Sequence, residues 1–171
     1  FNQKISEVQI DKSDAKWKKK ILGLIQENYK NSKYFSNYYS KIKQIIEKDR
    51  DSLMSLNLEL INLILNFFEI KLNILMSSEL KNKKNKFELI EEIYFKQKAT
   101  NLLTTVGVKD YFPKIIEKMN VTYYIYNDKI KTYNQQYEGF ESNLSVIDLL
   151  FNCGHNSKEF FKKNLLLKND I

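Results

Sequence analysis

Three polar side chains recur at helical spacing in an otherwise apolar segment near the carboxyl end of the chain. Ser145, Asp148 and Asn152 fall within about 60° of one another if residues 144–154 form a helix. Most other positions of this segment are apolar, which predicts a buried helix. A carboxylate in such a helix must find hydrogen-bond donors or become neutral, because burying an unpaired charge is costly. These three residues are therefore the first candidates for chemistry.

Asp148 has two interpretations that the sequence leaves open. It can be a structural residue that satisfies nearby backbone amides, or it can present its carboxylate to a ligand. On the second interpretation, Asp148 and Ser145 are predicted catalytic residues, and Asn152 is a predicted ligand-binding residue.

The ends of this helix carry signals of their own. Ser142 or Asn143 should cap its start, and Gly154 should end it in the left-handed conformation. Cys153, the single cysteine, follows an apolar face and is expected to be a buried, inert thiol. The single histidine, His155, is expected to be exposed. It has no cysteine or acidic residue at ligand spacing, so no metal site is expected.

The first half of the chain predicts an all-helical stretch from about Trp17 to Phe68. Apolar residues recur there every three or four positions, as on one face of a helix. A short strand is expected before it, at Glu7–Ile10. The expected helices cover residues 17–29, 35–47 and a third segment that Asp51 or Ser52 caps and that runs to about residue 68.

The second half alternates between strand and helix patterns. Strands are expected at Ile70–Met76, Thr100–Thr105 and Val121–Tyr126. Helices are expected around residues 87–94 and 111–120, the latter capped by Asp110. This order predicts an α/β fold, with a mainly parallel sheet flanked by helices and an all-helical insertion in the first half.

Ligands of open α/β sheets bind beyond the carboxyl ends of strands, where hydroxyl groups and backbone amides converge. Lys109 lies at such a strand end, where a cation opposes the helix dipole, so it either extends into solvent or awaits an anion. On the second interpretation it is a predicted catalytic residue. Small hydroxyl residues also serve as ordinary caps, so both uses are open for Ser77 and Ser78. The ligand-binding residues predicted from these strand ends are Ser77, Ser78, Thr104, Thr105 and Gly107.

Composition limits the class of protein. The chain has 171 residues, 43% of them hydrophobic, which fits one globular domain over residues 1–171. It contains no run of about 18 apolar residues, so no membrane span is expected, and the cytoplasm is the expected location. The net charge of +7 suits an anionic small molecule such as a nucleotide-sugar.

A nucleic-acid partner is the weaker explanation of this charge. Arg50 is the only arginine. The lysine run at residues 81–86 contains no aromatic residue, and Trp17, the one aromatic residue in the run at 16–20, is assigned to the core face of its helix, so solvated surface is favoured for both runs. No phosphate-binding loop, dinucleotide fingerprint or nucleophile elbow is present, and the cofactor is unknown.

Several short motifs occur in a fixed order along the chain. The last of them joins Tyr133, Gln135 and Phe140 to the helix of Asp148. Earlier motifs are Ile5–Ile10, Trp17, Tyr34-Phe35, Ser77–Leu80 and Gly107–Tyr111. In order and spacing the chain resembles the WbqC-like family of bacteria over essentially its whole length. Tyr133 and Gln135 are thereby added to the candidate ligand-binding residues.

The resemblance implies a role in bacterial surface polysaccharide (O-antigen or capsule) biosynthesis, with acyl or glycyl transfer to an activated sugar as the reaction. A non-catalytic binding or assembly protein of the same pathway is the alternative, followed by a nucleic-acid-binding protein. The chain departs from the family pattern in two places. It lacks the family's opening motif, so it is expected to be the carboxyl-terminal two-thirds or so of such a protein. It also carries Thr104-Thr105 where members usually carry Ser-Gly.

Overall fold

A computed structural model describes residues 3–14, 16–80, 86–111, 113, 117–126 and 132–168. For residues 80, 86, 109, 111, 126, 164 and 165 it describes the backbone alone. The helices are α1 (Trp17–Tyr29), α2 (Phe35–Glu47), α3 (Leu53–Phe67), α4 (Lys86–Lys96), α5 (Val108–Tyr111), α6 (Val146–Cys153) and α7 (Ser157–Asn164). The strands are β1 (Leu102–Thr104), β2 (Val121–Tyr126) and β3 (Leu165–Lys168). Short 3₁₀ turns cover Ile5–Glu7, Ser77–Leu80 and Gly154–Asn156.

The chain forms two compact units. The helical unit comprises Phe1–Asn73 and Thr132–Glu159, and the sheet unit comprises Ile74–Lys131 and Phe160–Ile171. The mixed α/β class is as predicted. The assignment of residues 1–171 to a single domain stays a prediction.

The helical unit is built around the side chain of Phe151, which is fully buried. Leu22 of α1 and Ile42 and Ile46 of α2 complete the buried core beside it. The ring of Tyr29 lies 5.2 Å from that of Phe151, centre to centre. The predicted all-helical stretch is confirmed, because α1, α2 and α3 fill it. Trp17, Ile64 and Ile147, which the same pattern places inside, are half-buried.

Helix α6 is apolar nearly all round, and four successive residues, Asp148 to Phe151, are buried. Gly154 ends it at a positive φ of +58°, as predicted, but with ψ −130° it lies outside the left-handed helical region. The predicted caps Ser142 and Asn143 are wrong, since the cap position belongs to Ser145. The reason is local: Asn143 adopts φ +60°, so the chain is still turning three residues before the helix begins at Val146.

The sheet unit holds a small mixed sheet, not a mainly parallel one. Strand β1 pairs with β2 in parallel, with Leu102 opposite Val121. Strand β3 pairs antiparallel on the other side of β2, with Tyr126 opposite Leu165. The buried core of this unit consists of Tyr94, Val108, Met119, Val121 and Tyr123.

The predicted strand Ile70–Met76 is wrong, because these residues have no regular secondary structure. Its alternation would place Leu72 and Ile74 on the same, buried face of a strand, yet both are exposed, Ile74 by 38%. An alternating segment becomes a strand only where a partner supplies backbone hydrogen bonds. Among the described residues, no strand pairs with this segment.

Three smaller predictions are corrected. The strand expected at Glu7–Ile10 is reduced to one bridge between Gln9 and Ser52. Asp110 is not a cap, since α5 begins at Val108 and Asp110 lies inside it. Within the helix expected at residues 111–120, positions 112 and 114–116 lie outside the described residues.

Candidate functional site

The carboxylate of Asp148 is the centre of a hydrogen-bonded cluster in the helical unit. Asp148 is only 2% exposed. One carboxylate oxygen, Oδ2, accepts hydrogen bonds from the hydroxyl of Tyr133 at 2.5 Å and from Nε2 of Gln135 at 3.1 Å. The other, Oδ1, accepts one from Nδ2 of Asn152 at 3.1 Å. The charge is therefore buried but paired with donors, as the apolar helix requires.

Two tyrosines near this carboxylate have raised pKa values. Burial raises the pKa of Tyr133, and its hydrogen bond to Asp148 raises that pKa further. Burial also raises the pKa of Tyr29, followed by the charge of Asp148 and a hydrogen bond to it. Both phenols therefore stay protonated at neutral pH. Each can donate but cannot act as a base there.

Cys153 lies in the same surroundings and is half-buried. Burial raises the pKa of its thiol, and the negative charge of Asp148 adds to that shift. A thiolate is the reactive form of cysteine, so this environment keeps Cys153 in its less reactive form. The direction agrees with the inert thiol expected from the sequence.

The loop between residues 132 and 145 is held by the side chain of Gln135. Its Nε2 donates to the carbonyl of Glu141 at 2.9 Å, and its Oε1 accepts from the amide of Glu141 at 2.8 Å. The rings of Tyr133 and Phe140 meet edge to face at 5.1 Å. Gly139 takes φ +91° at the tip of the loop, a conformation that favours glycine. The loop is thereby fixed in shape by its own side chains.

This loop lines two clefts of the helical unit. The amide cleft has a volume of about 610 Å³. It is lined by six carboxamide side chains, those of Asn31, Asn134, Gln135, Gln136, Asn152 and Asn156, together with Tyr34, Tyr137 and Lys33. The apolar cleft, of about 450 Å³, is lined by Leu24, Ile25, Tyr29, Phe140, Leu144 and Asp148, among others.

The amide cleft has preformed walls. The backbone amide of Tyr34 donates to the carbonyl of Phe151 at 2.8 Å. Its ring packs so closely on Gly154 that a Cβ there would lie 2.6 Å from ring carbons. Oε1 of Gln136 accepts from the backbone amide of Asn31 at 3.2 Å, which ties the loop to the α1–α2 connection. Hydrogen bonds and packing thus set the positions of these residues without a ligand.

Four of the site residues predicted from the sequence meet here: Asp148, Tyr133, Gln135 and Asn152. Ser145 is exposed at the start of α6, and its hydroxyl makes no capping hydrogen bond. Its carbonyl accepts from the backbone amide of Asp148 at 2.9 Å.

The remaining predicted residues belong to the sheet unit. Ser77 and Ser78 lie exposed in a 3₁₀ turn, and the strand expected before them does not form. The turn after β1 does form, with the amide of Val108 donating to the carbonyl of Thr105 at 3.2 Å. Thr104 and Gly107 are half-buried in this region. The side chain of Lys109 lies outside the described residues.

Sequence reasoning missed three asparagines of the amide cleft, Asn31, Asn134 and Asn156, and the position of Tyr29 beside Asp148. Tyr29 matches the spacing of a core face, and its phenol gives no separate signal. The local signal for the cleft is the amide run Asn134-Gln135-Gln136, of which only Gln135 was predicted. Asn31 and Asn156 are distant in sequence and come close to this run only in the fold.

The family model of the WbqC-like protein family matches residues 1–160. The chain belongs to the WbqC-like protein family. The matched range includes every residue of the Asp148 cluster, and it confirms the resemblance found in the sequence. This WbqC-like chain is also 26% identical over 166 residues to the uncharacterized protein Rv1507c of Mycobacterium tuberculosis, covering 95% of this chain and 71% of that protein. No solved structure matches it.

Two further observations concern metals and membranes. Within the described ranges, no three histidine, cysteine or acidic side chains come together as metal ligands would. None of the described helices is both long and apolar enough to cross a bilayer.

Proposed function

We propose that this WbqC-like protein acts in bacterial surface polysaccharide biosynthesis and transfers an acyl or glycyl group to an activated sugar bound in the helical unit. The observation that carries the proposal is the amide cleft, where six carboxamides converge beside a buried carboxylate. Carboxamides both donate and accept hydrogen bonds, as sugar hydroxyls do. The family resemblance supplies the pathway and the reaction. The cytoplasm, where a cysteine stays reduced, is the proposed location.

Asp148 is proposed to act as a positioning residue in this site. Its carboxylate is engaged by Tyr133, Gln135 and Asn152, and the last two also line the amide cleft. Removing the carboxylate would therefore release cleft residues without removing a group that itself faces the ligand.

Lys109 is proposed separately, within the sheet unit, as a contact for an anionic group such as a phosphate. The support is its place in the turn after β1, at the start of α5. Replacing Lys109 by alanine should weaken nucleotide-sugar binding more than replacing Lys83, which belongs to the lysine run outside the described residues. Equal effects at both positions would show that Lys109 is not a ligand contact.

A non-catalytic binding or assembly protein is the second candidate, and one observation favours it. Asp148, the one carboxylate of the cluster, is almost fully buried and already accepts hydrogen bonds. It is therefore not free to act as a base toward a bound sugar. A nucleic-acid partner has weaker support. In the first lysine run, the Lys18 ammonium donates to the carbonyls of Glu47 and Lys48 at the end of α2, which is a structural use.

A thermal-shift screen followed by product analysis tests these alternatives. The protein is mixed with nucleotide-sugars, aminoacyl donors and oligonucleotides at moderate salt, since a ligand of the native state raises the melting temperature. Stabilisation by a nucleotide-sugar, with an acylated or glycylated sugar detected by mass spectrometry, supports the transferase. Stabilisation without product supports the binding protein. Selective stabilisation by oligonucleotides that is lost steeply with added salt contradicts both.

A further inference from the structure

Several side-chain amides of the amide cleft remain available for hydrogen bonds to a ligand. Within the part of the chain that the structure describes, the side-chain amides of Asn31, Asn134 and Asn156 have no hydrogen-bond partner. All three residues are exposed at the cleft. They can therefore exchange water for ligand hydroxyls without breaking a bond within the protein.

The side-chain amides of Asn152 and Gln136 each make hydrogen bonds within the protein with only one of their two polar groups. The other group of each amide is therefore the one available to a ligand. Nδ2 of Asn152 donates to the backbone carbonyl of Asp148 at 2.8 Å and to its carboxylate, so its Oδ1 is left to accept. Oε1 of Gln136 accepts from Asn31, so its NH₂ group is left to donate. A ligand here must offer both a donor and an acceptor. A hydroxyl does both, whereas a phosphate oxygen only accepts.

The charge of the cleft also argues against a phosphate. Lys33 is the only charged side chain among the described lining residues. Its ammonium lies 5.2 Å from the centre of the Tyr34 ring, in a cation–π arrangement. Sites for phosphate groups use arginine forks or several backbone N–H groups and cations together.

Aromatic rings supply flat apolar surface beside the amides. The Tyr34 ring is held by its contact with Gly154 and by an edge-to-face contact with His155 at 5.9 Å. Tyr137 lies on the loop between residues 132 and 145 and is 61% exposed. The C–H face of a sugar ring fits such a surface while its hydroxyls reach the amides. The volume falls in the usual range for small-ligand sites, roughly 300–1,000 Å³.

We propose that the amide cleft binds the uncharged ring of a sugar through its hydroxyl groups, and that phosphate or nucleotide groups are not recognised there. This inference rests on the proposed function for the choice of a sugar among polyhydroxyl ligands. It does not depend on the transfer reaction.

Ligand-observed NMR and calorimetry on the full chain test it with methyl glycosides as probes, including those of glucose, galactose and N-acetylglucosamine. At least one glycoside should bind at millimolar concentration, and its affinity should not change with salt. The variants Asn134→Ala and Asn156→Ala should each weaken binding fivefold or more. Asn28→Ala, which alters an amide of the apolar cleft, should leave the affinity unchanged.

The inference is overturned if no glycoside binds, or if the three variants behave alike. It is also overturned if a nucleoside diphosphate alone binds as tightly as the nucleotide-sugar and competes for the cleft. Failure of the proposed function looks different: a glycoside binds as described, but no acylated or glycylated product forms with any donor. If product forms but neither Asn134→Ala nor Asn156→Ala changes KM, the proposed function is supported and the inference about the amide cleft is contradicted.

Discussion

The hydroxyl of Tyr133 and the carboxylate of Asp148 lie 2.5 Å apart, and this hydrogen bond joins an irregular loop to a buried helix. Gln135 follows two residues later and adds a second bond to the same oxygen. The loop therefore depends on one buried charge for its position. Because that loop lines both clefts, the fixed shape of the candidate site begins with this pair.

Replacing Asp148 by alanine should lower the free energy of unfolding by about 1–3 kcal/mol, because it strands the buried donors around it. Urea denaturation followed by circular dichroism measures the change. Glu138→Ala, at an exposed position on the same loop, is the control and should have little effect. An unchanged midpoint for Asp148→Ala would show that Asp148 is not a structural partner.

Tyr133→Phe removes one hydroxyl but keeps the ring against Phe140. We expect a loss of about 1–2 kcal/mol in unfolding free energy, less than for Asp148→Ala, since the carboxylate keeps its other donors. Tyr137→Phe, which deletes the hydroxyl of an exposed tyrosine nearby, should be close to neutral. If the two phenylalanine variants are equally stable, the hydrogen bond between Tyr133 and Asp148 contributes nothing measurable.

Gly154→Ala should destabilise the protein by about 1–3 kcal/mol, because alanine is strained at φ +58° and its Cβ would press on the Tyr34 ring. Gly23→Ala is the matched comparison. Gly23 lies in α1 with open space around it, so alanine there should leave stability unchanged or raise it by about 0.5–1 kcal/mol. Thermal melts of both variants decide the matter, and similar melting temperatures would contradict the close contact.

The alkylation of Cys153 should depend on pH in a defined direction. Its raised pKa means that the thiolate, and with it the reaction with iodoacetamide, appears at higher pH than for a free thiol such as glutathione. Asp148→Asn removes the neighbouring negative charge, so the midpoint should move to lower pH. The midpoint is the useful measurement, since restricted access slows the rate at every pH. A midpoint at or below that of glutathione would contradict the expectation.

Glu59 and Arg50 should respond unequally to substitution. The Arg50 side chain is 7% exposed, and its Nη2 pairs with Oε2 of Glu59 at 3.0 Å. Its other two nitrogens have no partner among the described residues. Glu59→Gln should therefore cost about 1–3 kcal/mol by weakening the one partner of a buried charge. Arg50→Met should cost less, since Glu59 keeps Lys48 at 3.0 Å. Denaturant midpoints in the opposite order would contradict this account.

Some of the fold follows from local signals in the sequence. The bounds of α2 at Phe35–Glu47 and of β2 at Val121–Tyr126 match the predictions, because apolar periodicity reports which face is buried. Of the two predicted caps of α3, Asp51 and Ser52, the cap is Ser52, and its hydroxyl accepts from the amide of Ser55 at 3.3 Å. Each of these signals acts within a few residues, so no distant partner is needed to detect it.

The pairing of strands was decided by contacts between distant segments. Residues 70–76 alternate like a strand and remain irregular, while residues 165–168, which are not alternating, form β3. A strand needs a neighbour for its backbone groups, and only the tertiary structure places one beside it. The antiparallel direction of β3 is likewise fixed by its register against β2.

For the site, the sequence determined that a carboxylate on an apolar helix would need donors, and also which family the chain resembles. It could not determine which donors, because Tyr133 and Gln135 lie on an irregular loop whose path back to Asp148 is set only in the fold. It could not show that six carboxamides share one cleft either. Burial of an unpaired charge is costly wherever it occurs, so the requirement can be inferred from local pattern. The groups that satisfy it depend on how helices and loops pack, and that packing was decided only in the folded chain.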